Sequence, residues 1–427
     1  MAFAQMADVV IVGGGPAGAS AAYYMASHGL DVLVLERATY PRDKVCGDGL
    51  TPRAVTELIR MGFPIPESEG WVRNYGVRGY GGGIVIDVPW PELASQPNFG
   101  SACPRKVFDH KLIEYARAAG ARIEEGITVT APIVHDASGR VVGVRARKTA
   151  EGSRGEEFTV GARLVVDAGG VSARLATAVG REKNIRRPMG VAVRTYYRSP
   201  LAQTDMMESY LELWAGKPNE SELLPGYGWV FAVGDGLVNV GLGSLSSTAK
   251  PTGVDYRKVF ETWMANVPEE WELTPENRVG TLRSAALPMA FNRKPHYADG
   301  LALIGDAGGM VSPFNGEGIA YALASGRILA DFTAQALVRR TLGEQDRVLA
   351  QYPAQMRDEL GGYYTLGRVF AALIERPEIM HICVKYGLPR PTLMRLVMKL
   401  LSDNFDRRDG DWMDKLITAL TMAVPKA

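Results

Sequence analysis

Gly13-Gly14-Gly15-Pro16-Ala17-Gly18 lies between an apolar run, Asp8 to Val12, and an Ala-rich stretch of helical spacing, Ala19 to Gly29. Strand, glycine turn and helix in that order suit a nucleotide pyrophosphate. Gly13 permits the turn, Gly15 lets backbone approach the phosphates, Gly18 lets helix and strand pack, and the helix N-terminus favours negative charge. A second apolar run, Val32 to Leu35, ends at Glu36, where a carboxylate can accept hydrogen bonds from the adenosine ribose hydroxyls. Gly13, Gly15, Pro16, Ala17, Gly18, Glu36 and Arg37 are the expected dinucleotide contacts.

A second cluster narrows the choice of dinucleotide. Leu301 to Ile304 reads as a buried strand that runs into Gly305-Asp306, and Pro313-Phe314-Asn315-Gly316-Glu317-Gly318 precedes a helix expected from about Gly316 to Leu337. A carboxylate at such a strand end can face a polyol such as a ribityl chain, and the helix N-terminus can lie under a flavin pyrimidine. The five histidines show no ligand spacing, so no metal site is expected. Cys46, Cys103 and Cys383 are too few for an iron–sulfur cluster or a disulfide framework, which points to a reducing compartment.

Taken together, the second cluster resembles the second FAD signature of the p-hydroxybenzoate hydroxylase superfamily. The resemblance implies that Gly305 and Asp306 serve the ribityl chain and that main-chain NH groups around Gly316 to Gly318 face the flavin. It also implies that Arg105, opening a helix with Phe108 and Asp109, lies near ribityl and pyrophosphate. One element departs: Val166-Asp167-Ala168-Gly169-Gly170 has glycine where relatives carry the aspartate of an Asp-Gly pair, which weakens the case for direct use of NADPH.

Tyr40-Pro41-Arg42-Asp43-Lys44-Val45-Cys46-Gly47-Asp48-Gly49-Leu50-Thr51-Pro52-Arg53 and Pro225-Gly226-Tyr227-Gly228-Trp229-Val230-Phe231 are similar to the Lys-Pro-Cys-Gly loop and Tyr-x-Trp-x-Phe strand of the geranylgeranyl reductase family. The motifs occur in family order, and their wording is most similar to members that saturate one isoprene unit of the menaquinone side chain. The resemblance implies FAD as cofactor, Cys46 and Gly47 beside it, and Tyr227 and Trp229 on the wall between flavin and substrate. Cys46, Tyr227 and Trp229 are then the expected catalytic set, with Cys46 on a mobile loop. An isoprenoid lipid or quinone would be the substrate, and NADPH or a redox protein the reduced electron donor. Three alternatives stay open: a geranylgeranyl reductase acting on diphosphate or lipid-linked chains, a flavin-dependent aromatic monooxygenase or halogenase, and a non-enzymatic FAD-bound redox sensor. Halogenation is disfavoured because no Trp-x-Trp-x-Ile-Pro segment is present.

The elements that must position these residues make an α/β chain. A discontinuous Rossmann-type FAD-binding domain is expected over 1–75, 100–185 and 287–340. An antiparallel β-sheet substrate domain is expected over 76–99 and 186–286, roofing an apolar cavity, with a C-terminal helical region over 341–427. Strands are expected at Arg122 to Thr130, Val141 to Ala146, Leu164 to Asp167, Val191 to Tyr197, Ser209 to Trp214, Gly228 to Val233 and Leu237 to Gly243, and a helix at Lys106 to Ala119.

Charge sets the remaining limits. With 48 basic and 47 acidic residues the net charge is +1, so no nucleic-acid partner is implied. No apolar run approaches the roughly 18 residues of a membrane-spanning helix, and no leader is visible, so a cytoplasmic protein is expected. Val384 to Leu400 carries Lys385, Arg390, Arg395 and Lys399 among apolar residues and no acids. Arg395 and Lys399 are expected to share a face, so 384–401 is a candidate peripheral contact with the inner face of the cell membrane.

Overall fold

Val9, Val10 and Ile11 are wholly buried because the strand Gln5–Val12 has parallel neighbours on both edges, Val32–Glu36 and the end of Ser153–Asp167. A short run that is apolar on both faces is what a parallel strand covered on both sides requires. The computed structural model that shows this describes residues 3–150, 153–246 and 254–427. The first sheet runs in the order Tyr297–Ala298, Leu301–Leu303, Ser153–Asp167, Gln5–Val12, Val32–Glu36, Arg122–Glu125, and Ile127–Val134 and Val141–Ala150 extend it antiparallel. Arg122 to Thr130, expected as one strand, is divided at Gly126, whose φ is +68°, into Arg122–Glu125 beside Val32–Glu36 and Ile127–Val134 beside Val141–Ala150.

Two helices cover one face of this sheet. Pro16–Ser27 crosses Ile319–Leu337 closely at Gly326, where a Cβ would come within 2.7 Å of Ala17 O and Ala21 N. The second helix starts at Ile319 rather than Gly316. Gly316 has a φ of +76°, and Asn315 Oδ1 accepts from Glu317 N (3.0 Å), so the Asn-Gly-Glu turn stays outside the helix.

The second sheet has seven strands, in the order Arg278–Pro288, Met189–Arg198, Leu237–Ser246, Gly226–Ala232, Met207–Tyr210, Gly76–Gly81, Ile84–Pro89. Its pairings are antiparallel except one: Met207–Tyr210 runs parallel to Gly76–Gly81. These two strands are remote in sequence, and no hairpin ties them, so the connection leaves their direction free. The strand expected from Ser209 to Trp214 ends at Tyr210, and Trp214 makes only an isolated bridge to Leu223.

The tail is helical: Leu342–Leu349, Gln351–Ile374, Pro377–Ile382, Pro391–Leu401 and Trp412–Ala423. Tyr352 and Tyr364 are fully buried and donate their hydroxyls to Leu303 O and Met310 O, both at 3.0 Å, which fastens the tail to the first sheet's Leu301–Leu303 strand and to the turn that follows it. Among the described residues no helix is long and apolar enough to cross a membrane. The expected basic face is only half present. Arg395 is exposed, but Lys399 is 6% exposed and pairs with Asp411 (2.9 Å) and Asp414 (2.8 Å). The segment after Leu401 folds back and delivers both carboxylates to it.

Candidate functional site

Where the two sheets face each other they enclose a cavity of about 650 Å³. Gly13, Gly15, Pro16, Ala17, Glu36 and Arg37 line one part of it. Cys46, Gly47, Arg105, Tyr227, Trp229, Asp306, Gly316 and Gly318 line the rest, joined by Phe370, Met380 and Met398 of the tail. The structure therefore brings together residues spread over the whole chain. Gly18 and Gly305 are not on the wall. A Cβ on Gly18 would strike Gly13 O, and one on Gly305, whose φ is +56°, would lie 2.9 Å from the Ala17 Cβ. Both glycines act in packing beneath the turn.

Gly15 is different. A Cβ built there meets only Arg42 Nη2, at 3.9 Å, and otherwise points into open cavity. Bare backbone at a helix N-terminus facing empty space is a fitting cradle for a pyrophosphate. Glu36 braces this turn, accepting hydrogen bonds from Gly14 N (2.8 Å) and Ala38 N (2.9 Å). Arg105 is locked to Asp109 by two hydrogen bonds of 2.5 and 2.7 Å, and Arg42 Nη1 reaches the same carboxylate at 2.9 Å. Asp306 lines the cavity, and burial raises its carboxyl against the pull of Lys44 and Arg105. Asp167 is spent as a strand-end cap, accepting from Gly169 N and Ala176 N, both at 3.0 Å.

Around Cys46 a buried polar network ties the loop after Val32–Glu36 to the second sheet. Trp229 Nε1 donates to Asn239 Oδ1 (2.9 Å). Asn239 Nδ2 donates to both Cys46 O and Asp48 Oδ2 (2.8 Å each), and Tyr196 Oη donates to Asp48 Oδ2 (2.6 Å). Burial pushes the Asp48 carboxyl up to about 6, opposed by the Tyr196 and Asn239 hydrogen bonds. Asp48 sits at a φ of +63°, a conformation its neighbours must impose. Further back along the loop, Asp43 pairs with Arg194 (2.5 Å) and Arg283 (3.1 Å). The loop expected to be mobile is thus anchored on both sides of Cys46. Burial, with Asp48 adding to it and Arg105 opposing, raises the Cys46 thiol, so it is held neutral.

Tyr227 Oη donates to Asn315 O (3.0 Å), and the Tyr227, Trp229 and Phe231 rings follow one another at 6.0 and 6.2 Å between centroids. Gly47 lies against Trp229, with 3.3 Å from its would-be Cβ to Nε1. Glu317, to which the sequence reading gave no role, also lines the cavity. Its Oε1 accepts from Thr51 Oγ1 (2.7 Å), its Oε2 is shielded with no partner, and burial pushes its carboxyl up to about 7. An acid between two glycines was a visible signal; Thr51 as its partner was not.

A family described as FAD binding domain matches residues 6–337. The chain is 35% identical to the menaquinone reductase of Mycolicibacterium smegmatis over 96% of this chain and 95% of that one. It is 29% identical to the digeranylgeranylglycerophospholipid reductase of Methanocella arvoryzae, over 83% of each. In fold it is similar to a geranylgeranyl bacteriochlorophyll reductase-like protein from Thermoplasma acidophilum, with TM-score 0.77, 21% identity and 97% and 99% of the two chains covered.

Proposed function

This chain belongs to the FAD binding domain family, and from that membership we propose that it is a flavin-dependent reductase that saturates an isoprenoid carbon–carbon double bond, with the menaquinone side chain as substrate. The observation that carries the reading is the composition of one cavity: a glycine cradle with Asp306 along one part, and an aromatic and aliphatic wall of Trp229, Phe231, Met207, Phe370, Ile374 and Met398 along the rest. A dinucleotide and a long apolar chain can meet there. The 35% identity to a menaquinone reductase supports the substrate.

Reduced FAD, when bound, supplies a hydride. We assign the residues of the cavity the following roles. Gly13, Gly15, Pro16 and Ala17 would hold the pyrophosphate, Glu36 and Arg37 the adenosine ribose, Arg105 and Asp306 the ribityl chain, and backbone NH groups at Gly316 and Gly318 the flavin. The faces of Tyr227 and Trp229 orient the alkene and stabilise positive charge as it develops on the more substituted carbon. Cys46 and Gly47 lie beside Trp229 on the same wall. Glu317 holds a proton on Oε2, with Thr51 fixing Oε1, and is the group suited to deliver it. Asn239 positions both Trp229 and the Cys46 loop. The first sheet is the cofactor half and the second the substrate half.

We also assign the finer partners. The electron donor is NADPH or a redox protein. The tail segment docks at the inner face of the membrane: Ile382, Tyr386 and Leu393 are 54%, 51% and 40% exposed beside exposed Lys385, Arg390 and Arg395, while Met380 and Met398 of the same segment line the cavity. An apolar substrate could then pass from lipid into the protein. The test is anaerobic: protein reduced with a stoichiometric amount of dithionite is mixed with menaquinone, the extract is then reoxidised in air so that the ring returns to the quinone, and the recovered quinone should remain heavier by two hydrogen atoms. Flavin that reoxidises only with oxygen, hydroxylating a phenol, would instead make it a monooxygenase.

A further inference from the structure

Arg187, Lys294, Arg357 and Arg368 come from three segments that the fold brings to one place. Asn184 N donates to Asn292 O (2.6 Å), tying the stretch before Met189–Arg198 to the turn that carries Lys294. The Phe291 ring of that turn packs edge-on against Tyr364 of Gln351–Ile374, 4.7 Å between centroids, and Lys294 Nζ lies 5.6 Å from the same ring. Arg357 and Arg368 stand two turns before and one turn after Tyr364, on the helix face that meets Phe291.

These cations break the pattern of the rest of the molecule. Other buried arginines spend their guanidinium groups on the protein itself: Arg105 on Asp109, Arg194 on Asp43 and Arg140 on Asp346, and Arg181 and Arg293 on main-chain carbonyls. Burial, and after it repulsion by like charges, lowers both Arg187 and Lys294: Arg368 acts on the first, and Arg187, Arg357 and Arg368 act on the second. Arg187 Nη1 and Arg368 Nε are shielded from water without an acceptor, and Arg368 makes its side-chain hydrogen bond only from Nη2, to Thr365 Oγ1 (3.1 Å). Shielded guanidinium NH groups without acceptors and clustered like charges both cost free energy. One multi-oxygen anion would relieve both.

We propose that Arg187, Lys294 and Arg368, with Arg357 at the edge, form a binding site for a phosphate or diphosphate group. The planar guanidinium groups suit paired hydrogen bonds to phosphate oxygens, and Lys294 adds a point charge. The site is separate from the cavity but shares its wall: Phe370 and Ile374, on the same helix as Arg368, line the cavity. A membrane lipid headgroup and a soluble phosphate compound would present the same chemistry. The proposal does not depend on the reductase reading.

Calorimetric titration of the flavin-loaded full chain with inorganic phosphate and diphosphate, at ionic strength held constant with sodium chloride, should give saturable binding. Arg187→Gln and Arg368→Gln should each weaken it at least tenfold at unchanged flavin content. In phosphate-free buffer the same variants should melt no lower than wild type, because repulsion is relieved. Lys294→Gln, at an exposed position, repeats the test should either arginine variant fold poorly. Sedimentation with phosphatidylglycerol vesicles identifies the source: capture that diphosphate competes away points to a lipid headgroup, and diphosphate binding without such capture to a soluble ligand. No saturable binding of either anion, or equal binding by wild type and variants, would overturn the site.

Discussion

Gly15 and Gly18 lie three residues apart and should fail differently. Gly15→Val places its side chain in open cavity, so the protein should fold, melt as wild type and lose its flavin absorbance. Gly18→Ala drives a methyl into Gly13 O, so its loss of flavin should come with a lower melting temperature. Full flavin occupancy in Gly15→Val would remove the pyrophosphate assignment. Glu317 makes a pH prediction. It can give up a proton only while protonated, and its carboxyl is pushed up to about 7, so turnover should be greatest below that pH and fall as pH rises through it. Glu317→Gln should slow turnover by roughly 10²–10⁴-fold and flatten that limb; a pH–rate profile with the limb intact would clear Glu317 of the role. Gly15 and Asp306 were legible in sequence because each belongs to a local motif of strand, turn and helix. The Asp48–Asn239–Trp229 network was not, because Asp48 lies far from the other two in sequence and only the packing of its loop on the second sheet makes them neighbours.

At the scale of elements, the Cys46 loop and the tail helix Pro391–Leu401 each depend on one buried polar hub. Asn239→Ala removes hydrogen bonds to Trp229, Cys46 and Asp48 together. It should retain flavin and lower side-chain reduction at least tenfold, with a stability loss of about 1–3 kcal/mol from the partners left unsatisfied; unaltered reduction would show that the loop needs no such anchor. In the tail helix, Lys399 and Arg395 part company. Lys399→Ala strands the buried carboxylate of Asp414 and should cost about 3–5 kcal/mol, seen as a lower melting temperature. Arg395→Ala should melt as wild type but bind phosphatidylglycerol vesicles less well, and equal vesicle binding would withdraw the membrane contact through this helix. Helical spacing correctly marks the two residues as neighbours. It says nothing of the chain beyond Leu401, whose return turns one of them inward.

Over the whole molecule, the legible part of the fold is the part with a strict local signature: apolar runs on both faces for the parallel strands, glycine where the backbone must come close, and alternation in the second sheet. The parallel pairing of Met207–Tyr210 with Gly76–Gly81 has no such signature, since two remote strands carry no mark of their relative direction. Nor does the tail announce that Tyr352 and Tyr364 will bolt it to the Leu301–Leu303 strand and to the turn that follows it. That architecture puts cradle, aromatic wall and tail helices around one cavity, and the account stands on an isoprenoid chain being reduced in it. The most direct test compares quinones extracted from cells with and without the gene, by mass spectrometry. The account predicts menaquinone lighter by two hydrogen atoms when the gene is missing, restored by the wild-type gene and not by the Gly15→Val form. Identical menaquinone masses in both strains would contradict it.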